Sequence, residues 1–341
     1  MAEAERVEVL VTIPFPDALV QKIRDVSPQL HVTIKPVDGP KEISSDLWAK
    51  TEILYTDFVL PEPDQVPRLK WIQFDYAGVE FLRDSAILEK PDVVLTTLSG
   101  ASMPQIAEFV LTMMLSLGHH LYALFSHQMN KVWPEDKWSR FQPFELRGCT
   151  VGIVGYGSIG REVARLLVPL GVKVLAAKKN VMHPQDAGYS PEGLGDPNGD
   201  LFQRLYPIQA VRSMLRECDF VVITLPLTDE TMGLIGKEEL AALKPSAYLV
   251  DVSRGGIVDQ KALLEALKDG RLAGAALDVF PQEPLPEDSP LWQQPNVIIT
   301  PHIAGASASY KERAVALFAE NLERYLNGIP LYNRYDPQKG Y

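Results

Sequence analysis

The chain has 341 residues, long for a single core and ordinary for two domains. Its formal charge of −11, from 33 Lys and Arg against 44 Asp and Glu, argues against a nucleic-acid binder, because that affinity comes largely from clustered cations neutralising phosphates. The two cysteines, Cys149 and Cys218, each adjoin an apolar strand-like run, which predicts buried free thiols rather than a bridge, and their spacing offers no metal site.

The opening residues MAEAERVEVLV are charged and pass into a short apolar strand without the pattern of a cleavable signal, and no apolar run reaches membrane length. A cytoplasmic location without membrane contact is therefore expected. Short apolar segments then alternate with helical ones: VEVLVTI, DALVQKIRDV, HVTIKPV, EILYTDF, LKWIQF and VVLTTL. That rhythm predicts a parallel sheet covered by helices. Residues 104 to 125, opening at Met103-Pro104, carry the longest unbroken helical pattern, with Ile106, Phe109, Val110, Met113, Met114 and Leu117 at helical spacing. A helix apolar on several sides needs cover. The aromatic-rich segment Lys131 to Phe144 follows, with little periodicity. From Cys149 the alternation resumes: CTVGIVG, SIGREVARLLVPL, VKVLAA, a Gly/Pro-rich loop over about 181 to 207, AVRSMLREC, DFVVITL, AYLVDV, KALLEALKDG, LAGAALDV and NVIIT. This predicts a doubly wound, Rossmann-type domain, followed by a last helix over about 307 to 327.

Within that domain Gly155-Tyr156-Gly157-Ser158-Ile159-Gly160 sits between a strand and a helix, the context that gives a GxGxxG pattern its weight. Gly155 permits the tight turn, Gly157 lets a pyrophosphate approach the backbone, and Gly160 lets helix and strand pack closely. The helix N-terminus then offers N–H groups and partial positive charge to phosphates. A plain strand-to-helix turn is the alternative. The position that ends the second strand, an acid in NAD binders, is Lys178, followed by Lys179 and Asn180. Cations attract a 2′-phosphate that a carboxylate would repel, so NADP is the expected cofactor and NAD the alternative; a solvated basic pair is the plainer reading.

Three further segments each end an apolar strand with a chemically able side chain: Arg254 in LVDVSRGGIVD, Glu283 in AALDVFPQEPLP and His302 in VIITPHIAG. A guanidinium, a carboxylate and an imidazole are the parts needed to hold a substrate carboxylate and move a proton while a hydride moves elsewhere. A guanidinium supplies a planar, always-charged grip. Imidazole exchanges protons near neutral pH, which suits His302 to give a proton in reduction and take one in oxidation. Paired with it, Glu283 would orient the ring and stabilise its charged form. Taken singly, Arg254 reads equally as a surface or cap cation, His302 as a satisfied interior histidine and Glu283 as a loop acid.

Together, in this order, the fingerprint and these segments resemble the D-isomer-specific 2-hydroxyacid dehydrogenase family, from about residue 104 to 306. The stretches LIGKEELAALKP, LAGAALDVF and EPLPEDSPLWQQPNVIITPH look most like the glyoxylate/hydroxypyruvate and 2-ketoacid reductases. The resemblance implies two doubly wound α/β domains: a flavodoxin-like substrate domain from 1–103 and 306–341, and a cofactor domain inserted at 104–305. It makes 104–147 a dimerisation arm and the protein a homodimer. It also places Leu225 and Pro226 beside the adenosine, Val252, Ser253 and Arg254 along the cofactor, Asp278 at the nicotinamide amide, and His302 and Gly305 within cofactor reach. Ala77, Gly78 and Gly100 would join Arg254 and His302 in holding a small 2-oxo or 2-hydroxy acid. Formate dehydrogenases of this fold pair their histidine with glutamine, so Glu283 favours a hydroxy-acid couple. Trp48, Phe74, Tyr76, Trp133 and Trp138 are candidates for the substrate side-chain pocket, with structural roles favoured for most. A dinucleotide-sensing, corepressor-like binding protein and a 3-phosphoglycerate dehydrogenase are the competing readings.

Overall fold

A computed structural model of the protein describes residues 6–341, so the charged start at residues 1–5 lies outside the described residues. The chain divides into two compact units, one formed by the chain up to Ser102 together with Ser307–Tyr341, the other by Met103–Ala306.

The first unit opens with β1 (Val7–Val11), α1 (Asp17–Asp25), β2 (Leu30–Ile34), α2 (Ser45–Lys50), β3 (Ile53–Thr56), β4 (Trp71–Phe74) and β5 (Val94–Thr96). The strands form one parallel sheet in the order β2-β1-β3-β4-β5, the flavodoxin-like arrangement. Side chains alternate across the pleat, so Val9, Val11, Ile53, Tyr55 and Trp71 enter one buried layer while Leu10, Leu54, Ile72 and Phe74 enter the other. Burial on both faces explains why these strands read as nearly continuous apolar runs.

The second unit begins with α3 (Met103–Gly118), α4 (Leu121–Met129) and α5 (Lys137–Arg140). It continues with β6 (Thr150–Val154), α6 (Ser158–Leu167), β7 (Lys173–Lys178), β8 (Arg204–Pro207), α7 (Val211–Leu215) and β9 (Phe220–Ile223). Then come α8 (Lys237–Ala242), β10 (Tyr248–Asp251), α9 (Gln260–Lys268), β11 (Gly274–Leu277) and β12 (Val297–Ile299). All seven strands pair in parallel in the order β12-β11-β10-β9-β6-β7-β8, a doubly wound sheet whose strand order reverses at β6/β9. Beyond it the chain returns to the first unit as α10 (Tyr310–Leu326), whose Val315, Phe318 and Leu322 join the layer of Val9, Tyr55 and Trp71.

Two sequence expectations need correction. The 104–125 pattern is not one helix: α3 ends at Gly118, His120 takes a left-handed conformation (φ 54°), and α4 leaves at 66°. The Phe144 N–H donates to the Gly118 carbonyl at 2.8 Å, and a Cβ on Gly118 would stand 2.8 Å from the Phe144 carbonyl oxygen, so a distant segment crosses the helix end and stops it there. Among the described residues the longest helix is α10, with 17 residues against 16 in α3. The stretch 181–207 is not loop throughout, because Arg204–Pro207 forms the edge strand β8 against β7. The aromatic segment also contains the single turn α5. Among the described residues no single helix is long and apolar enough to cross a membrane.

Candidate active site

The dinucleotide fingerprint lies where strand geometry demands glycine. Gly155 has φ +105°, and a Cβ there would stand 2.8 Å from the Thr224 carbonyl oxygen. A Cβ at Gly160 would lie 2.5 Å from the Gly155 carbonyl oxygen, so α6 can meet β6 only through hydrogen. Gly157 is different: nothing stands within 4 Å of its Cβ position. It caps α6 without a side-chain hydrogen bond, leaving backbone donors at the helix N-terminus above open space. This cradle fits a pyrophosphate, with Tyr156, Ser158 and Ile159 framing the glycines. Lys178 ends β7 half-buried, its Nζ donating to the His183 carbonyl at 3.2 Å; burial first, and the Arg161 guanidinium second, lower its pKa. Lys179 instead pairs with Glu230 at 2.6 Å. Leu225 and Pro226 follow β9 at the same carboxyl edge of the sheet, and Val252 and Ser253 follow β10 there, both buried.

Register places the three chemical side chains along that edge. Asp251, Leu277 and Ile299 are aligned partners on β10, β11 and β12; Arg254 and His302 each lie three residues beyond their strand's partner, and Glu283 lies on the loop from β11. The Arg254 turn packs directly onto the Glu283 loop: a Cβ on Gly255 would stand 1.9 Å from the Phe280 carbonyl oxygen. Glu283 Oε1 accepts the Phe280 N–H at 2.9 Å, and Oε2 lies 2.8 Å from His302 Nδ1. A carboxylate at Nδ1 holds the proton on that nitrogen and leaves Nε2 for substrate. The imidazole side chain is 44% exposed, open enough for a reacting partner. The Arg254 Nη1 donates to the Ser253 carbonyl at 2.8 Å.

His302 is itself in the left-handed region at φ 52°, a conformation that must be held by its surroundings. Asp278 holds it. The Asp278 carbonyl accepts the His302 N–H, while its carboxylate accepts the N–H groups of Ile303 and Ala304 and the Thr300 hydroxyl, all within 2.7–2.9 Å. The implied contact to a nicotinamide amide thus belongs to a residue 2% exposed whose carboxylate already anchors the histidine loop. Gly305 is tied down by Gln105, whose Nε2 donates to its carbonyl at 2.8 Å.

Sequence reasoning missed Asp251, which lies in the VDVSRG segment and looks there like an ordinary strand end. It is buried and accepts the Ser253 N–H at 3.0 Å and hydroxyl at 2.5 Å. Burial pushes its carboxyl up to about 7, an effect that the Ser253 bonds partly offset and Asp278 adds to. Between its unfolded value and about 7 the native chain therefore binds the extra proton, and stability falls as pH rises through that window, by roughly 4 kcal/mol if the whole shift is expressed. Asp251→Asn keeps an acceptor for Ser253 and removes the ionisation, so its urea-unfolding free energy should decline less than wild type between about pH 4.5 and 7.5. Parallel declines in the two proteins would remove Asp251 from the pH dependence.

In the first unit, Ala77, Gly78 and Gly100 sit on two loops at the carboxyl edge of its sheet. The Leu98 N–H donates to the Tyr76 carbonyl at 2.9 Å, joining the loops, and Gly100 has φ +93°. Asn333 Nδ2 and Arg313 Nε steady the second loop through the Ser99 and Ala101 carbonyls, both at 2.7 Å. Beneath the first loop, Asp75 accepts the Tyr55 hydroxyl and is pushed up to about 6 by burial. Of the candidate pocket aromatics, Trp48 and Phe74 are core residues, Tyr76 is exposed, and Trp133 and Trp138 are 83% and 84% exposed. Both cysteines are buried free thiols, pushed by burial up to about 11 at Cys149 and about 12 at Cys218. Among the described residues no cluster of three or more His, Cys, Asp or Glu is placed to hold a metal ion.

The chain is similar to known proteins in both sequence and fold. Residues 111–304 match the family profile "D-isomer specific 2-hydroxyacid dehydrogenase, NAD binding domain". The chain is 34% identical to a glyoxylate reductase of Thermofilum pendens over 276 residues, covering 78% of this chain and 74% of that protein. It superposes on a D-isomer specific 2-hydroxyacid dehydrogenase of Xanthobacter autotrophicus solved with NADPH (TM-score 0.78, 28% identity, 99% of this chain and 100% of that one). It is also similar to an NADPH-dependent glyoxylate/hydroxypyruvate reductase of Sinorhizobium meliloti solved with NADP and sulfate (TM-score 0.74, 25% identity, 98% and 100%). By both the family profile and the Thermofilum relative, the chain belongs to the D-isomer-specific 2-hydroxyacid dehydrogenases, NAD(P)-dependent oxidoreductases acting on CH–OH groups.

Proposed function

We propose that the chain is an NADPH-preferring reductase of small 2-oxo acids of the glyoxylate and hydroxypyruvate class, working as a cytoplasmic homodimer. The observation that carries the reaction is the Glu283–His302 pair at 2.8 Å on a backbone fixed by Asp278. A nicotinamide coenzyme supplies the hydride when bound. The chain's own residues do the rest. Arg254 grips the substrate carboxylate and strengthens its hold as charge grows on the carbonyl oxygen. His302 Nε2 delivers the proton to that oxygen while Glu283 keeps Nδ1–H in place and stabilises the charged ring. Ala77, Gly78 and Gly100 are assigned to carboxylate recognition through backbone N–H groups. Leu225, Pro226, Val252, Ser253, Asp278 and Gly305 are assigned to the cofactor. Reduction of glyoxylate by NADPH, followed at the nicotinamide absorbance, tests the activity.

The cofactor preference rests on Lys178, in the ribose-reading position, with Lys179 beside it. Lys178→Asp exchanges attraction to a 2′-phosphate for repulsion. It should lower kcat/KM with NADPH by about 10–100-fold and change that with NADH far less. A wild type that prefers NADH would show the electrostatic reading to be wrong.

The homodimer reading rests on α4 and the segment after it. Phe125, Met129, Val132, Trp133 and Trp138 are all at least half exposed there, apolar surface that association would cover. Light scattering at micromolar concentration should give twice the chain mass; a monomer would reject this part.

A further inference from the structure

The stretch after Lys178 is a built element. It leaves the ribose-reading end of β7, runs to residue 203 and returns as β8 beside the same strand. Its two legs close on each other: the Asp186 N–H donates to the Pro197 carbonyl at 3.0 Å, and a Cβ on Gly199 (φ +71°) would stand 2.3 Å from the Pro184 carbonyl oxygen. Asp196 folds the returning leg by accepting the N–H groups of Gly199, Asp200 and Leu201 at 3.0–3.2 Å.

This excursion is bolted to the fingerprint by buried charges. Arg161, on α6 and 1% exposed, donates to the Asp196 carbonyl at 2.5 Å and the Pro184 carbonyl at 2.6 Å, and faces the Asp186 carboxylate at 3.4 Å. The Tyr156 hydroxyl donates to Asp196 Oδ2 at 2.7 Å, and Glu162 accepts the Gly195 N–H at 2.7 Å. Arg161, Glu162, Asp196 and Tyr156 are all buried, and ion pairs and hydrogen bonds removed from water are stiff and costly to break. The path reaches the cofactor site at one atom: Lys178 Nζ is held by the His183 carbonyl, next in the chain to the Pro184 carbonyl that Arg161 holds.

We propose that the excursion over residues 182–201 is a brace for cofactor choice, with Asp196 and Arg161 as positioning residues that fix Lys178 against the 2′-phosphate of the dinucleotide. The inference rests on the NADPH reading above. Core packing of Val163, Ala164 and Leu167 holds α6 independently of these bonds, so loosening the brace leaves the pyrophosphate cradle in place. The loss then falls on the 2′-phosphate contact.

Calorimetric titration of each folded protein with NADP+ and with NAD+, without substrate, tests this. Asp196→Ala removes the acceptor for Tyr156 and the returning leg, and Gly199→Ala forces the neck apart. In either variant the Kd for NADP+ should rise about tenfold and the Kd for NAD+ change less than about twofold. Two different failures are separable. If wild type shows no preference for NADP+, the cofactor reading falls and this inference with it. If wild type prefers NADP+ and Lys178→Asp erodes the preference, but both excursion variants keep the wild-type ratio or weaken the two cofactors equally, only the brace is overturned.

Discussion

His302→Asn is expected to lower kcat for 2-oxo acid reduction by about 10²–10⁴-fold, the usual worth of general acid–base catalysis, while dinucleotide binding is retained. Asparagine is the informative replacement because the position is left-handed at φ 52°, and Asn is among the few residues that tolerate that region. The N–H groups of residues 302 to 304 can therefore keep their bonds to Asp278, and the loop its course. What disappears is the imidazole: an amide can donate a hydrogen bond to the carbonyl oxygen but cannot deliver a proton. Steady-state rates beside a calorimetric cofactor titration separate the two effects. Near-normal turnover would take His302 out of the mechanism.

Arg254→Lys is the second large effect, despite its unchanged charge. A guanidinium presents two parallel donors in a rigid plane, and an ammonium is a flexible point charge that cannot reproduce that grip on a carboxylate. The turn is also set for the native side chain: Arg254 Nη1 spends one donor on the Ser253 carbonyl, and Gly255 lets the turn lie against Phe280. A shorter reach of hydrogen bonds from the same backbone should cost about 10–10²-fold in kcat/KM, the worth of one charged hydrogen bond of roughly 1.5–3 kcal/mol. Because carboxylate binding and carbonyl polarisation both depend on it, KM for the 2-oxo acid should rise and kcat fall together. A change confined to cofactor KM would place Arg254 elsewhere in the site.

Features written in local chemistry are legible in the sequence. The strands of both sheets announce themselves as apolar runs because they are buried on two faces, and Gly155, Gly157 and Gly160 announce a strand–turn–helix because no other residue fits two of those positions. Arg254, Glu283 and His302 stand out because each follows a strand that ends at the same edge. The misses were set by distant partners. Between Met103 and Leu124 the mark of a break is Gly118, a residue that helix interiors also tolerate, and it is the Phe144 backbone that imposes the stop there. The four residues of β8 are too short for a periodic signal, and it is their pairing with Leu175 to Lys178 that makes them a strand. Asp251 reads as a strand-end acid and Asp278 as a nicotinamide contact, yet burial raises the carboxyl of the first and the carboxylate of the second anchors the histidine loop. Likewise Tyr156 and Arg161 look like ordinary fingerprint and helix residues until Asp196, far along a Gly/Pro-rich stretch, is found beneath them.

The most direct test of the central claim is the initial rate of purified protein with glyoxylate, hydroxypyruvate and larger 2-oxo acids, each against NADPH and NADH. Turnover of the small 2-oxo acids is expected, with a higher kcat/KM for NADPH. Dinucleotide binding with no reduction of any 2-oxo acid by either cofactor would contradict it and favour a sensing protein that keeps the fold without the reaction.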